Sequence, residues 1–452
     1  MDTLVRIGCA AGFAGDRADA SLPIIAELAR HGGPRFLMFE TLAERTLALC
    51  QLEKRHDSTR GYSPALARML PVALGPALSA GIRIVGNFGG ANPAGAARRI
   101  AEWAQAAGFP AARIAVVEGD DLTASIAREE LAARETGGAL LAGPGEIVAA
   151  NVYLGAEGIA RALDAGADIV VTGRVADPSL ALGPLVHAHG WAWNDWARLA
   201  DGTLAGHLLE CGAQVTGGYF ADPDVKDVPG FDEVGYPIVE IAASGAMVVT
   251  KPAGTGGLVD RRTVTEQILY EVHDPAAYVT PDVVLDVTGV GLAADGPDRV
   301  RVAGAAGKPR PATLKATVFL ESGLLGEAEI SYAGPNARAR ARLAGETVAE
   351  RLRKRAPELA LRIDLIGVDS VFGNLAAAAE ADPPEVRLRV AAQDRDRARV
   401  ELMLNEVEAL YCAGPAGGAG VRRHLTPRLA SASCLIERER VAPRVWFVGD
   451  AP

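Results

Sequence analysis

Arg83-Ile84-Val85-Gly86-Asn87-Phe88-Gly89-Gly90-Ala91-Asn92-Pro93-Ala94-Gly95 is the stretch that decides the fold class. A short apolar run ends in a polar, glycine-rich turn, and an Ala-rich amphipathic segment follows. That order reads as a buried strand, a tight loop and a helix N-terminus. A loop of this kind turns backbone N–H groups toward a ligand at the positive end of a helix dipole.

The same order recurs down the first half of the chain. Apolar runs at Leu4–Cys9, Phe36–Phe39, Ile114–Val117, Ile147–Val152 and Ile169–Thr172 alternate with helical patterns such as Ala20–Arg30, Ala65–Ser79 and Glu157–Ala165. Alternation of this type predicts βαβ units with right-handed crossovers. The expected class is α/β: an N-terminal doubly wound, mainly parallel sheet with helices on both faces. Beyond about residue 280 the texture changes to short β-like runs and a few helices, which predicts a smaller C-terminal α+β domain. We therefore expect a Rossmann-like domain over 1–280 that carries the active site, and an α+β domain over 281–452. The Gly217–Gly235 stretch, dense in Gly, Pro and Asp, reads as a long ordered loop.

Composition narrows the function classes. At 452 residues, about half of them apolar, the chain can bury a large core. No apolar run approaches the ~20 residues needed to cross a bilayer, and the start Met1-Asp2-Thr3-Leu4-Val5-Arg6 has no secretion-signal pattern. The expectation is a soluble cytoplasmic protein with no membrane partner. A net charge of −10 argues against nucleic acid as a partner. The five cysteines are scattered and form no C-x-x-C pair, so neither a disulfide framework nor a metal site is expected.

In an open parallel sheet the ligand crevice lies beyond the carboxyl ends of the strands. Gly12 and Asp16 follow the first strand, Glu40 the second, Asn87, Gly89, Gly90 and Asn92 the third. Glu118 and Asp120 follow the fourth, Tyr153 the fifth, and Arg174 and Asp177 the sixth. Several of these suit purely structural roles as well: Asp16, Asp120 and Asp177 as helix caps, Asn87 and Asn92 as turn formers. Arg174 is harder to place that way, because a guanidinium directly after a buried strand pairs a carboxylate or a bound anion. Lys251, Gly254, Thr255 and Gly256 form another loop suited to phosphate or carboxylate. Neither it nor Gly414–Gly420 matches a nucleotide-binding fingerprint. His207, Glu210 and Cys211 share a helix face and fit either acid/base work or core packing.

Five phrases resemble the acyclic terpene utilisation AtuA-like family. They are Gly12–Arg17, Asn87–Gly95, Val116–Asp121, Val171–Ser179 and Gly206–Gly218, extended by Val249–Gly257 and Gly414–Gly418. The family is named for a pathway that degrades citronellol and geraniol as coenzyme A thioesters. The resemblance assigns no reaction and no catalytic residues by itself; joined to the strand-end residues, the leading expectation is an enzyme of acyclic terpene or branched-chain acid catabolism acting on an acyl thioester or related carboxylate, with hydratase or lyase chemistry. Asp120 or Asp177 would be the base, the Gly89 and Gly90 amides would stabilise an oxyanion, and Arg174 and Lys251 would hold carboxylate or phosphate. No metal and no cofactor are called for beyond coenzyme A as part of the substrate. A homo-oligomer is expected, with room for a small AtuA-related partner subunit. Two competing readings are a non-catalytic acyl-CoA-binding or assembly subunit and, more weakly, a nucleotide-dependent enzyme.

Overall fold

The computed structural model describes residues 3–373 and 383–450. The chain forms two compact units, Met1–Val318 with Ala432–Pro452, and Phe319–Ser431. The first unit opens with β1 (Val5–Cys9), α1 (Ser21–Ala29), β2 (Arg35–Phe39), α2 (Glu44–His56), α3 (Leu66–Ser79), β3 (Arg83–Gly86), α4 (Pro93–Ala106) and β4 (Ile114–Glu118). After α5 (Arg128–Ala132) and β5 (Glu135–Thr136) come β6 (Ile147–Val152), α6 (Glu157–Asp164), β7 (Ile169–Thr172), α7 (Ser179–His189) and α8 (Trp196–Glu210). Then follow β8 (Ile238–Ile241), β9 (Met247–Thr250) and α9 (Arg261–Leu269).

β1, β2, β3, β7 and β4 lie side by side, parallel, in that order. They are buried at nearly every position, as strands covered on both faces must be. Neighbouring residues of β2 show the two faces. Leu37 joins the core formed with α1, α3 and α4, whereas Phe36 meets the His187 ring of α7 edge-on at 6.4 Å.

Around this block the sheet becomes mixed. β8 pairs antiparallel with β1, β9 with β8, and the strands Val300–Ala303 and Gly291–Ala294 continue outward. Arg444–Phe447 adds antiparallel to the β4 edge. The whole is a ten-stranded mixed sheet. The mainly parallel expectation thus describes the central block and not the full sheet. The sheet also continues past residue 280, since both outer strands that pair beyond β9 come from 291–303.

β6 departs from the expected alternation. It leaves the parallel block and pairs with the strand Thr313–Ala333. Its sequence gives the reason: Asn151 stands in it fully buried, and its amide bonds Gln51 and Asp120 side chains at 2.9 Å each. Asn151 also forms an isolated bridge to Asp121, just past the end of β4. β6 therefore runs beside the carboxyl edge and delivers Tyr153 there.

Within the second unit the strand Glu385–Asp394 pairs antiparallel with Leu361–Ile366 and with residues 324–333. The helices Ala337–Arg355 and Arg397–Glu408 cover it, with Val348, Leu352, Leu388, Val390 and Met403 in one core.

Local signals set the helix ends. Asn92 caps α4 by accepting from the Gly95 N–H at 2.9 Å, with Pro93 in the first turn. Asp260 and Thr263 form a capping box on α9. Gly206 of α8 lets that helix press on the start of α7: a Cβ at 206 would stand 2.3 Å from the Pro178 carbonyl oxygen. Gly206→Ala should therefore destabilise the protein by about 1–3 kcal/mol through overpacking, read as a lower denaturation midpoint. An unchanged midpoint would show that the α7–α8 contact is not tight at this point.

Candidate active site

The loops at the carboxyl ends of β1, β2 and β7 converge with the end of α8 and the segment after α9 on a cleft of two lobes. One lobe, about 510 Å³, is lined by Asp16, Glu40, Glu44, Asp177, Glu210 and Glu271, among others. The other, about 860 Å³, shares Glu44, Asp177 and Glu271 and adds Arg174, Lys315 and Tyr278. Its remaining wall includes carbon surface from Val279, Pro281, Pro311 and Leu314. A small number of charges set in carbon surface is the usual make-up of a small-molecule site.

Arg174 is the centre of this arrangement. It is 2% exposed, and a guanidinium keeps its charge even there. One Nη donates to the Leu42 carbonyl, the other lies 3.2 Å from Asp177 Oδ1, and the guanidinium sits 4.0 Å from the centre of the Tyr153 ring. The Tyr153 hydroxyl in turn donates to Glu44, and Lys315 reaches the same carboxylate at 3.3 Å. Burial disfavours the charge on Glu44, but Arg174, the Tyr153 hydroxyl and Lys315 outweigh it and bring the carboxyl down to about 2.

Glu40 has the opposite setting. Burial pushes its carboxyl up, and the charge of Asp177 adds to that. Arg174 and the bond from the Asn87 amide pull the other way without cancelling it. Its Oε1 is held by the Leu42 N–H at 2.7 Å and the Asn87 amide at 2.9 Å. One cleft therefore holds an ionised carboxylate and a carboxyl that retains its proton, the division that acid–base chemistry uses.

The family model of the acyclic terpene utilisation protein AtuA matches residues 5–447. The chain belongs to the AtuA family. No curated protein matches it. Among solved structures, the de novo designed protein Ferredog-Diesel aligns with 23% of this chain and 85% of its own length, at 22% identity and a TM-score of 0.16. So low a score carries nothing about fold or function.

The candidate residues of this AtuA protein fall into three groups. Gly12, Asp16, Arg174 and Asp177 line the cleft. Asp16 is engaged there with the Gly12 N–H at 2.8 Å and the Tyr236 hydroxyl. Asn87 and Asp120 stand behind the cleft. Asn87 is fully buried and fixes Glu40, and its Oδ1 accepts from the Thr41 N–H at 2.7 Å. Asp120, pushed up to about 6 by burial, accepts from the Arg174 N–H at 3.0 Å and the Asn151 amide at 2.9 Å. It lines neither lobe and so positions the Arg174 loop.

The third group lies elsewhere. The Gly89 N–H donates to the Thr172 carbonyl at the end of β7 at 3.0 Å and the Gly90 N–H to that of Asn87 at 3.3 Å, so one amide ties the turn to β7 and the other closes it, each engaged within the protein. Asn92 is a helix cap whose amide also bonds the Ser58 and Arg60 carbonyls. Glu118 pairs with Arg444 at 3.1 Å. Lys251 and Gly254 line another cavity of about 370 Å³, where Lys251 meets Asp298 at 3.1 Å and the Thr255 carbonyl at 2.8 Å. Gly256 N–H bonds the Glu233 carbonyl and the Thr255 hydroxyl that of Pro252. The Lys251 ammonium, the Gly256 amide and the Thr255 hydroxyl are thus engaged by groups of the protein itself.

The cleft also contains residues that the strand-end reading did not carry forward: Glu44, Glu271, Lys315 and Tyr278. Glu40 and Tyr153 were visible as strand-end residues, and Glu210 as a helix-face one. Among the described residues there is no helix long and apolar enough to cross a membrane and no cluster suited to a metal ion.

Glu44 gives a pH-dependent test. Its folded value of about 2 lies below the ordinary 4.5. Its ionisation therefore stabilises the fold above about pH 5, and that contribution disappears as pH falls toward 2. Glu44→Gln should lower the thermal midpoint at neutral pH and converge with the wild type in acid. A constant difference across the range would contradict the assignment.

Proposed function

We propose that this AtuA-family protein is an enzyme of acyclic terpene or branched-chain acid breakdown that adds water to, or eliminates it from, an acyl thioester or related carboxylate. One arrangement carries the reading: Glu40, whose carboxyl burial pushes up, shares a cleft with Asp177, whose carboxyl burial also raises while the charged Arg174 at 3.2 Å pulls it back toward ionisation. In the hydration direction water adds to the β-carbon of an enoyl thioester while Asp177 takes its proton. Electron density moves onto the thioester oxygen, where Arg174 and Lys315 meet the charge. Glu40 returns a proton to the α-carbon, so one water is added and both carboxyls have changed state. The carbon-lined lobe suits a branched acyl chain, and coenzyme A enters as part of the substrate.

The test is incubation of the purified protein with geranyl- and methylcrotonyl-coenzyme A, with products followed by mass. Turnover is expected. In Asp177→Asn it should fall by about 100-fold or more, the range for loss of a positioned acid or base, when assayed below the variant's thermal midpoint, which loss of the Arg174 ion pair lowers. An undiminished rate in Asp177→Asn would remove that residue from the chemistry. Thermal stabilisation by ATP but by no acyl thioester would overturn the reading. Tight binding of a thioester without conversion would identify a carrier or assembly subunit instead.

A further inference from the structure

The last turn of α8 brings a second proton-holding group to the same cleft. His207 and Glu210 are one helical turn apart, with Nδ1 2.8 Å from Oε1. The other ring nitrogen of His207, Nε2, stands 3.3 Å from the Ile268 carbonyl oxygen. A carbonyl only accepts, so Nε2 carries a hydrogen. The Nδ1–Oε1 contact then holds one proton, either on the imidazole facing a carboxylate or on Glu210 facing a neutral ring. The pair is neutral overall in both forms. His207 is 1% exposed, so burying it with a net charge would be costly.

A second observation points outward. Glu210 is 9% exposed, and its remaining oxygen, Oε2, is buried with no hydrogen-bond partner. Glu210 lines the lobe that also holds Glu40, Asp177 and Glu271. An unpartnered buried carboxylate oxygen is rare enough to need an explanation. Burial raises the Glu210 carboxyl against the pull of His207, with Asp177 and Glu271 adding to the rise. Burial also opposes a charge on His207, and Glu210 outweighs it. The Cys211 thiol and the Tyr278 hydroxyl, beside the same carboxylates, are raised by burial and stay protonated. Neither competes for the proton.

We propose that His207 and Glu210 form a proton relay that resets the cleft between turnovers, with Oε2 of Glu210 as the exchanging atom. This rests on the hydration reading above. After water addition Asp177 holds a proton and Glu40 lacks one. Glu210 takes the proton from Asp177 at Oε2, its O–H bond forming as that of Asp177 breaks, and the positive charge that the pair gains is met by the Asp177 and Glu40 carboxylates in the same lobe. It then gives the proton to Glu40, whose carboxylate supplies the electron pair. His207 remains hydrogen-bonded to Oε1 throughout and acts as a positioning residue.

Two measurements decide it. Histidine ring-nitrogen NMR on the intact wild type, assigned by His207→Asn, reads the dyad without any substrate. The expected result is a His207 ring whose Nδ1 shares a proton near neutrality and loses that signature in Glu210→Gln. A His207 that titrates as a free imidazole, or that is unaffected by Glu210→Gln, overturns the dyad. The second measurement uses methylcrotonyl-coenzyme A. Glu210→Gln should lower steady-state turnover at least 10-fold more than it lowers the single-turnover rate, and added imidazole buffer should restore the steady-state rate. Equal loss of both rates, or no loss of either, overturns the relay. Absence of any turnover by the wild type overturns the hydration reading and the relay with it, while the NMR result still decides the dyad.

Discussion

The buried guanidinium of Arg174 is the constraint on which the site depends. A charge taken this far from water must be matched by partners, and removing one partner of such a pair typically costs about 3–5 kcal/mol. The chain supplies those partners from separate places. The Leu42 carbonyl comes from the loop after β2, Asp177 from the loop after β7, and the Tyr153 ring from the end of β6. Asp120, beyond β4, holds the Arg174 N–H from behind. Through its side chain and its own N–H, Arg174 thus ties four segments at the carboxyl edge into a single geometry.

The same field separates the neighbouring carboxyls. Glu44, next to Arg174, Tyr153 and Lys315, is held ionised. Glu40 also feels Arg174, but greater burial and the Asp177 charge leave it protonated. Two residues of one type, four apart in sequence, take opposite states because their surroundings differ.

Much of the architecture was legible because it rests on local chemistry. Ile84–Gly86 and Ile169–Val171 are apolar, and Asn92-Pro93 announces a helix start; the strands and the helix lie where the sequence put them. The strand-end rule likewise found Gly12, Asp16, Arg174 and Asp177 at one cleft. It over-reached at Gly89 and Gly90, because a glycine turn looks the same whether its N–H groups face a ligand or carbonyls of the protein. It over-reached at Lys251 as well, whose loop follows β9, an antiparallel strand outside the parallel block. It could not rank Glu40 or Glu210, since a raised carboxyl depends on burial supplied by residues far away in the chain. Nor could it show that β6 leaves the sheet, which is a matter of where the Asn151 amide finds partners.

The central claim is that this cleft holds a protonated carboxyl beside an ionised one at neutral pH. Carboxyl-carbon NMR of glutamate-labelled protein, assigned with Glu40→Gln, tests it directly. The account predicts that the Glu40 signal stays in its protonated position through neutrality, while surface glutamates ionise near their usual value of about 4.3. Ionisation of Glu40 together with those surface glutamates would contradict it.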